Sequence, residues 1–304
     1  MQALLVHHQD AGGGEHDRDD LLAALDSAGI SSTPCEVDGA SIRAAMSGEP
    51  YDLAVVAGGD GTSAMVIAAA AELLASGKPA PPVALLPIGG LNNIACSFGV
   101  EGEVAEIVAG WRHGSSAKID VGSARGNWGW RPFVEAAGFG ALSDGLSSID
   151  ESPDEPAEKQ AVGRAAFRNA LAAAEPMDVE LRLDGQRVAR ALLMLEVLNI
   201  PRIGPRLTLV PDADPADGRL DVLMVGPDER AAMLAWLDEG CTSPCPVSAQ
   251  AASEVRVEGG FTRCRLDDPK GERETGKVAT TLTTMPHAVT LLLPHPAPAT
   301  GACG

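Results

Sequence analysis

The chain has 304 residues, of which 45% are hydrophobic and 21% are charged, and its formal net charge at pH 7 is -19. This length allows two packed domains, and the composition is that of a globular protein. The negative charge and the lack of a Lys/Arg cluster exclude nucleic acid as a favoured partner, because phosphate backbones would be repelled.

The first 120 residues predict an α/β domain, because apolar strands alternate with glycine loops and helices. The predicted strands are Ala3–Val6, Leu53–Val56 and Val83–Leu86. The predicted helices are Leu21–Ala28, Ser63–Ala75 and Asn92–Ser97. Such alternation favours a parallel sheet, which binds its ligands at the carboxyl ends of the strands.

Residues 121–294 predict a mainly-β sandwich domain that binds the substrate, since short strands there are separated by turns. The predicted strands are Phe133–Ala137, Val179–Leu183, Ala191–Leu198, Leu220–Val225, Glu254–Glu258 and Val289–Leu293. Helices are predicted at Glu158–Ala174 and Glu229–Asp238, and the last strand is a candidate to return to the first domain. Residues 295–304 are rich in Pro, Ala and Gly and predict a flexible tail.

The cysteines and the apolar stretches bear on the cellular compartment. Six cysteines lack C-x-x-C spacing, so we expect reduced thiols; Cys241 and Cys245, in a proline-containing loop, are an alternative metal or disulfide pair. No apolar stretch is long enough to span a bilayer, and no basic region precedes the first strand. We therefore expect a cytoplasmic protein that meets membranes only peripherally.

The sharpest motif is Gly58-Gly59-Asp60-Gly61-Thr62, which lies between a strand and a helix. Glycines allow backbone N–H groups and the helix N-terminus to approach phosphate oxygens. A carboxylate in such an anion-binding turn is favourable if Asp60 holds Mg²⁺ or orients the hydroxyl that attacks the phosphate. The alternative is an ordinary tight turn in which Thr62 caps the helix.

This motif resembles the Gly-Gly-Asp-Gly-Thr signature of the diacylglycerol kinase and NAD kinase families. Leu86 to Ala95 resembles the second nucleotide loop, L-P-x-G-T-x-N-D-x-A, and most of the chain is similar to bacterial lipid kinases related to diacylglycerol and sphingosine kinases. The resemblance implies an α/β domain and a β domain with ATP between them. The residues it implies for nucleotide binding are Gly58, Gly59, Gly61, Thr62, Gly89, Gly90, Asn92 and Asn93.

Three later stretches extend the resemblance. Phe133 to Gly140 is similar to the strand that opens the lipid-binding domain, and Leu198 to Asp221 is similar to the family's N-x-x-x-x-G and A-x-x-x-D-G-x-L-D segments. In that pattern Asp217 is implied to hold a structural Mg²⁺. Gly271-Glu272 resembles the end of a late D-G-E element, whose glutamate is the implied general base.

Several positions depart from the family pattern. The threonine and aspartate of the second loop are Gly90 and Asn93, and the aspartate of D-G-E is Lys270. The N-P-x-S-G run after the first strand reads His7 to Gly12, without the asparagine. Asp267 and Asp268 could substitute for Glu272. These departures support nucleotide binding better than fast phosphoryl transfer.

The resemblance implies an ATP- and Mg²⁺-dependent lipid kinase that phosphorylates the hydroxyl of a diacylglycerol-like lipid. A catalytically weakened nucleotide-binding or regulatory protein of the same fold is the alternative. NAD kinase is less favoured because the chain lacks that family's Asn-Glu in a nucleotide-contacting turn and its later Asp-Gly followed by Ser/Thr-rich residues. A homodimer is compatible with the sequence, which does not identify the lipid.

Overall fold

The computed structural model describes residues 1–14, 16–151, 153–260, 264–267 and 277–295. Its helices are α1 (Arg18–Ser27), α2 (Gly39–Gly48), α3 (Asp60–Ala75), α4 (Asn93–Ser97), α5 (Val104–Gly110), α6 (Ala141–Ser147), α7 (Pro156–Ala173) and α8 (Arg230–Asp238). Its strands in the first part of the chain are β1 (Gln2–His7), β2 (Ser31–Cys35), β3 (Leu53–Gly58), β4 (Val83–Pro87), β5 (Ser115–Gly126), β6 (Gly129–Phe133) and β7 (Ala136–Gly140).

The later strands are β8 (Val179–Leu183), β9 (Gln186–Val188), β10 (Met194–Leu198), β11 (Arg202–Ile203), β12 (Leu207–Thr208), β13 (Leu220–Val225), β14 (Gln250–Ala252), β15 (Glu254–Gly260), β16 (Cys264–Leu266) and β17 (Lys277–Leu293). The chain divides into two compact units. The first contains residues 1–119, 154–156 and 287–304, and the second contains residues 120–153 and 157–286.

The first unit is built on a parallel sheet in the order β2, β1, β3, β4, and the end of β17 pairs in parallel with β4. Every residue of β3 is buried, as expected for a strand covered on both faces. The predicted α/β domain with a parallel sheet is confirmed.

The second unit contains two sheets with an apolar core. One has β15 between β8 and the first part of β17, and the other has the order β14, β13, β10, β7, β16. The core takes alternate residues of these strands, including Phe139 of β7, Leu195 of β10 and Val257 of β15. The predicted β-sandwich class is confirmed.

Some elements differ from the sequence-based prediction. The polar strand β2 and helix α2 were not predicted, and β17 is 17 residues long rather than Val289–Leu293. It includes Pro286, and the next residue, His287, has a left-handed conformation with φ 51°. The predicted strand Phe133–Ala137 is not continuous: β6 ends at Phe133, and β7 begins at Ala136.

The cysteines also correct the prediction. Cys35, Cys241, Cys245 and Cys264 form no disulfide bond, which removes the alternative of a disulfide between Cys241 and Cys245.

Candidate functional site

The site is assembled at the carboxyl edge of the parallel sheet in the first unit. Strands β1, β3 and β4 run in the same direction, so the loops that follow them emerge at the same edge. Ligands of open α/β sheets bind at such an edge. The glycine motifs predicted from the sequence lie in two of these loops.

The first loop turns tightly from β3 into α3. A side chain at Gly58 is excluded, since its Cβ would lie 2.8 Å from the Cβ and Oγ1 atoms of the buried Thr62. Gly59 is the extended residue before the helix, and Asp60 is the first helical residue. The loop therefore delivers the N-terminus of a 16-residue helix, whose first N–H groups suit an anion.

The second loop packs directly against the first. A Cβ at Gly89 would lie 2.3 Å from the Cα of Gly59, so the two backbones touch at this point. Only glycine allows this approach. The sequence predicted that both loops contact the same phosphates. In the structure the two loops are in direct contact with each other.

Asn92 stabilises the shape of the second loop. It has a left-handed backbone with φ 53°, and its side-chain amide donates to the carbonyls of Pro87 at 3.0 Å and Gly89 at 2.6 Å. Its Oδ1 accepts the N–H of Gly89 at 3.1 Å. These bonds give Asn92 a structural role in holding the loop. Asn93 begins α4 and is buried, and Gly90 lies within the loop.

Asp60 joins the two loops through its carboxylate. Its Oδ1 accepts the backbone N–H of Ile94 at 2.9 Å, at the start of α4. The partly buried carboxylate thus lies at the N-termini of both α3 and α4. Helix N-termini stabilise the ionised form of a carboxylate. Asp60 is therefore fixed at the point where the two loops meet.

A third loop, which follows β1, lies at the same edge of the sheet. The sequence did not predict its contact with the second loop. Gly12 has φ 63°, and a Cβ there would lie 2.3 Å from the carbonyl oxygen of Ile88. Gly13 and Gly14 are also left-handed, with φ 73° and 77°. The run of three glycines was the available signal, because consecutive left-handed residues require them.

His7 lies at the end of β1 beneath this loop. Its side chain is buried, and neither ring nitrogen has a hydrogen-bond partner among the described residues. Burial lowers the pKa of His7, and the neighbouring Arg18 and His16 lower it further. His7 is therefore neutral near pH 7 and contributes a polar group without charge to the interior of the sheet edge.

Asp217 occupies an exposed turn of the second unit before β13. Its Oδ1 accepts the N–H of Arg219 at 2.9 Å, while the next N–H, of Gly218, donates to the buried Asp120 at 2.6 Å. Burial and the nearby Asp217 raise the pKa of Asp221. These carboxylates have the chemistry that Mg²⁺ prefers, although no group of three potential metal ligands is found within the described ranges.

Asp267 is fixed by the backbone of the second unit. Its carboxylate accepts N–H groups from Val134 at 2.7 Å, Glu135 at 2.7 Å and Ala136 at 3.2 Å. Burial raises its pKa to about 6, although these hydrogen bonds lower it. Since both oxygens are engaged, this geometry makes Asp267 an anchor rather than a substitute general base. Glu272 and Asp268 lie outside the described residues, as do residues 296–304 of the predicted tail.

No helix in the described part of the chain is both long and apolar enough to cross a membrane.

Comparison with known proteins identifies both units. Residues 2–124 match the family model of the diacylglycerol kinase catalytic domain. Residues 155–293 match the model of the YegS C-terminal NAD kinase beta sandwich-like domain. Together these two matches extend over most of the chain.

Two curated relatives are named diacylglycerol kinase. A diacylglycerol kinase from Bacillus subtilis (strain 168) is 25% identical over 202 residues, which are 64% of this chain and 61% of that protein. One from Mycobacterium tuberculosis (strain ATCC 25618 / H37Rv) is 29% identical over 210 residues, which are 65% of this chain and 62% of that protein. The matched part is therefore less than two thirds of the length of each relative.

A solved structure shares the fold. The crystal structure of a diacylglycerol kinase from Bacillus anthracis str. Sterne superimposes with a TM-score of 0.74 and 20% sequence identity, and the match covers 98% of each chain. At this identity the likeness establishes the fold alone.

Proposed function

Because the chain belongs to the diacylglycerol kinase-like family, with a catalytic domain and a YegS-type C-terminal domain, we propose that it is an ATP-dependent lipid kinase. It would transfer the γ-phosphate of ATP to the hydroxyl of a diacylglycerol-like lipid. The family supports a kinase role in general, and the nucleotide, the lipid and the residues that act on them are our proposal.

The observation that supports nucleotide binding best is the backbone contact between Gly59 and Gly89. It places the N-termini of α3 and α4 side by side, and the start of a helix is a favourable position for phosphate oxygens. A triphosphate would receive hydrogen bonds there without a nearby side chain in its way. We assign the phosphate contacts to Gly58, Gly59, Gly61, Thr62, Gly89 and Gly90, with Asn92 and Asn93 fixing the second loop.

In the proposed reaction the lipid hydroxyl attacks the γ-phosphorus, the bond to the bridging oxygen breaks, and ADP leaves. We assign to Asp60 the orientation of the reacting groups, and its fixed position between the two loops supports this assignment. Glu272 accepts the hydroxyl proton as the general base, since a neutral hydroxyl is a weak nucleophile. The role of Glu272 rests on its resemblance to the D-G-E element alone.

The carboxylate chemistry of Asp60 fits Mg²⁺ bound to the phosphates, and the assignment of Asp217 to a structural Mg²⁺ in the second unit rests on its resemblance to the family pattern alone. When bound at the phosphates, Mg²⁺ would neutralise charge on the transferred group. The lipid must come from a membrane, so the protein would contact a bilayer peripherally from the cytoplasm. A homodimer is compatible with this function.

The test is incubation of the protein with γ-labelled ATP, Mg²⁺ and vesicles that contain diacylglycerol, a sphingoid base or a monoacylglycerol. We expect label in one extracted lipid. A parallel reaction with NAD and no lipid distinguishes the NAD kinase alternative, which would label the dinucleotide instead. ATP binding without label in any acceptor would contradict the kinase proposal and favour a regulatory protein.

A further inference from the structure

The hairpin formed by β5 and β6 has an unusual composition for this chain. It contains two of the four tryptophans and two arginines, Arg125 and Arg131. No acidic residue lies between Asp120 and Glu135, although 42 of the 304 residues are Asp or Glu. The hairpin is therefore a basic and aromatic segment in a protein whose net charge is -19.

The turn of this hairpin is short and anchored. Strands β5 and β6 pair up to Gly126 and Gly129, which leaves only Asn127 and Trp128 in the turn. The ring of Trp128 lies against Gly126, where a Cβ would come within 2.2 Å of it, and the same ring packs against the apolar core of the second unit. Trp128 thus attaches the turn to the sandwich.

The face of the hairpin that points away from the core carries Arg125 and Trp130. These two residues lie directly opposite each other on the paired strands, so their side chains share one face. Ala124 belongs to the core, and because successive side chains of a strand alternate, Arg125 points outward. The indole N–H of Trp130 donates to Oγ of Ser123 at 2.8 Å, which holds the half-buried ring on this face.

The charge of Arg125 is not compensated by a neighbour. Its side chain is exposed and forms no ion pair with the part of the chain that the structure describes. In contrast, Arg168, Arg182 and Arg256 of the same unit each lie 2.5 or 2.8 Å from an acidic side chain. Arg131 of β6 is also exposed. The hairpin therefore presents positive charge to an external partner.

The edge of the hairpin is unsuited to pairing with another chain. Among the described strands, β6 pairs only with β5, so its outer side is an edge. Pro132 has no N–H to donate to a further strand, and Arg131 places a charge on the edge. Both features oppose the addition of a strand from a second copy. A partner that is contacted by side chains is the better fit.

Arginine and tryptophan together have the chemistry of a membrane interface. Cationic side chains are attracted by anionic lipid head groups, and tryptophan rings favour the head-group level, where one end is apolar and the other polar. The negative charge of the whole protein does not cancel this attraction, because charges more than about 8 Å apart are largely screened at physiological ionic strength.

We propose that the β5–β6 hairpin docks the protein on an anionic bilayer surface through Arg125, Trp130 and Arg131. The proposal deepens the proposed function, on which it rests for the reason to reach a bilayer, since a lipid kinase must meet its substrate there. The docking itself needs neither ATP nor a reaction, so it is measured independently.

Co-sedimentation with vesicles of phosphatidylcholine and phosphatidylglycerol tests the docking, with vesicles of phosphatidylcholine alone as the neutral reference. Arg125→Glu is the deciding variant. Arg187→Glu is the matched control, because Arg187 is likewise exposed on a hairpin strand of the second unit, β9, and its reversal changes the net charge equally. We expect Arg125→Glu to weaken binding to anionic vesicles by about 10-fold or more, and Arg187→Glu by less than about twofold.

Tryptophan fluorescence reports the contact directly. Trp111 and Trp236 are buried, so a response to vesicles comes from the hairpin. Brominated lipids in the anionic vesicles should quench the emission of the unmodified protein, and most of that quenching should be lost in Trp130→Phe. Phenylalanine keeps an aromatic ring on the strand, and thermal unfolding of all variants shows that they retain the fold.

Kinetics separates docking from catalysis. In Arg125→Glu the apparent KM for lipid in anionic vesicles should rise by about 10-fold, as its binding to them weakens. The kcat for a short-chain diacylglycerol dissolved in water should stay the same, because no bilayer is involved.

Equal binding of Arg125→Glu and Arg187→Glu to anionic vesicles, or no binding by the unmodified protein, would overturn the docking. A dimer that light scattering shows to dissociate in Arg125→Glu, with vesicle binding unchanged, would make the hairpin a contact between copies and the proposal wrong. If no lipid is phosphorylated, the kinase proposal fails by itself, and the vesicle measurements still decide whether the hairpin docks on a bilayer.

Discussion

Replacing Asp60 with Asn is expected to lower Mg²⁺-dependent phosphorylation of the lipid by about 10²-fold or more, because the reaction loses a charged group beside the phosphates. The substitution keeps an oxygen that can accept the N–H of Ile94, so the junction between α3 and α4 should survive. The affinity for ATP should therefore change much less than the rate. Single-turnover transfer and ATP titration, measured on the same preparation, separate the two effects.

Asp60→Ala is the companion variant. It removes the charge and the hydrogen bond to Ile94, so it should weaken ATP binding beyond the effect of Asp60→Asn. If both variants phosphorylate lipid at the rate of the unmodified protein, Asp60 is structural and its assigned role is wrong.

Replacing Glu272 with Gln should also slow transfer by about 10²-fold or more, the usual contribution of a positioned general base. ATP affinity and the melting temperature should stay the same, because glutamine keeps the size of the side chain. The measurement is the rate of label transfer at saturating ATP and lipid.

Asp267→Asn is the control for Glu272. Asp267 binds three backbone N–H groups, so its substitution should lower the melting temperature together with activity. A rate that survives Glu272→Gln but collapses in Asp267→Asn without loss of stability would move the general base to Asp267.

The strands and loops of the first unit could be predicted from the sequence because they depend on local patterns. The apolar run before Gly58 and the glycines after it specify a buried strand and a tight turn. The strand β2 was missed because Ser31 to Pro34 are polar or small, and their strand conformation depends on pairing with β1. Tertiary context decides such edge strands.

The contacts of the candidate site were less predictable. Gly12 meets Ile88 across 76 positions of sequence, and Glu196 forms a buried ion pair with Arg265 of another strand. Periodicity shows that a residue is on a strand but not which strand lies beside it. The motif around Asp60 could be predicted because its residues are neighbours in the sequence. The role of Asp267 could not, because it depends on hydrogen bonds to the distant residues between β6 and β7.

The central claim is that nucleotide phosphates lie over the N-terminus of α3, and Gly61 tests it most directly. Gly61 is an exposed helical residue, and a Cβ there would meet no atom of the described structure within 4 Å. Alanine should therefore preserve the fold or stabilise the helix by up to about 1 kcal/mol. The same change at Gly48, a helical glycine of α2 with equal space, is the matched control.

The decisive measurement is the dissociation constant for ATP of Gly61→Ala, Gly48→Ala and the unmodified protein, determined by calorimetry. We expect Gly61→Ala to bind ATP about 10-fold more weakly or worse, a loss of about 1.4 kcal/mol or more, and Gly48→Ala to bind it normally. Unchanged ATP affinity in a folded Gly61→Ala protein would show that the phosphates bind elsewhere.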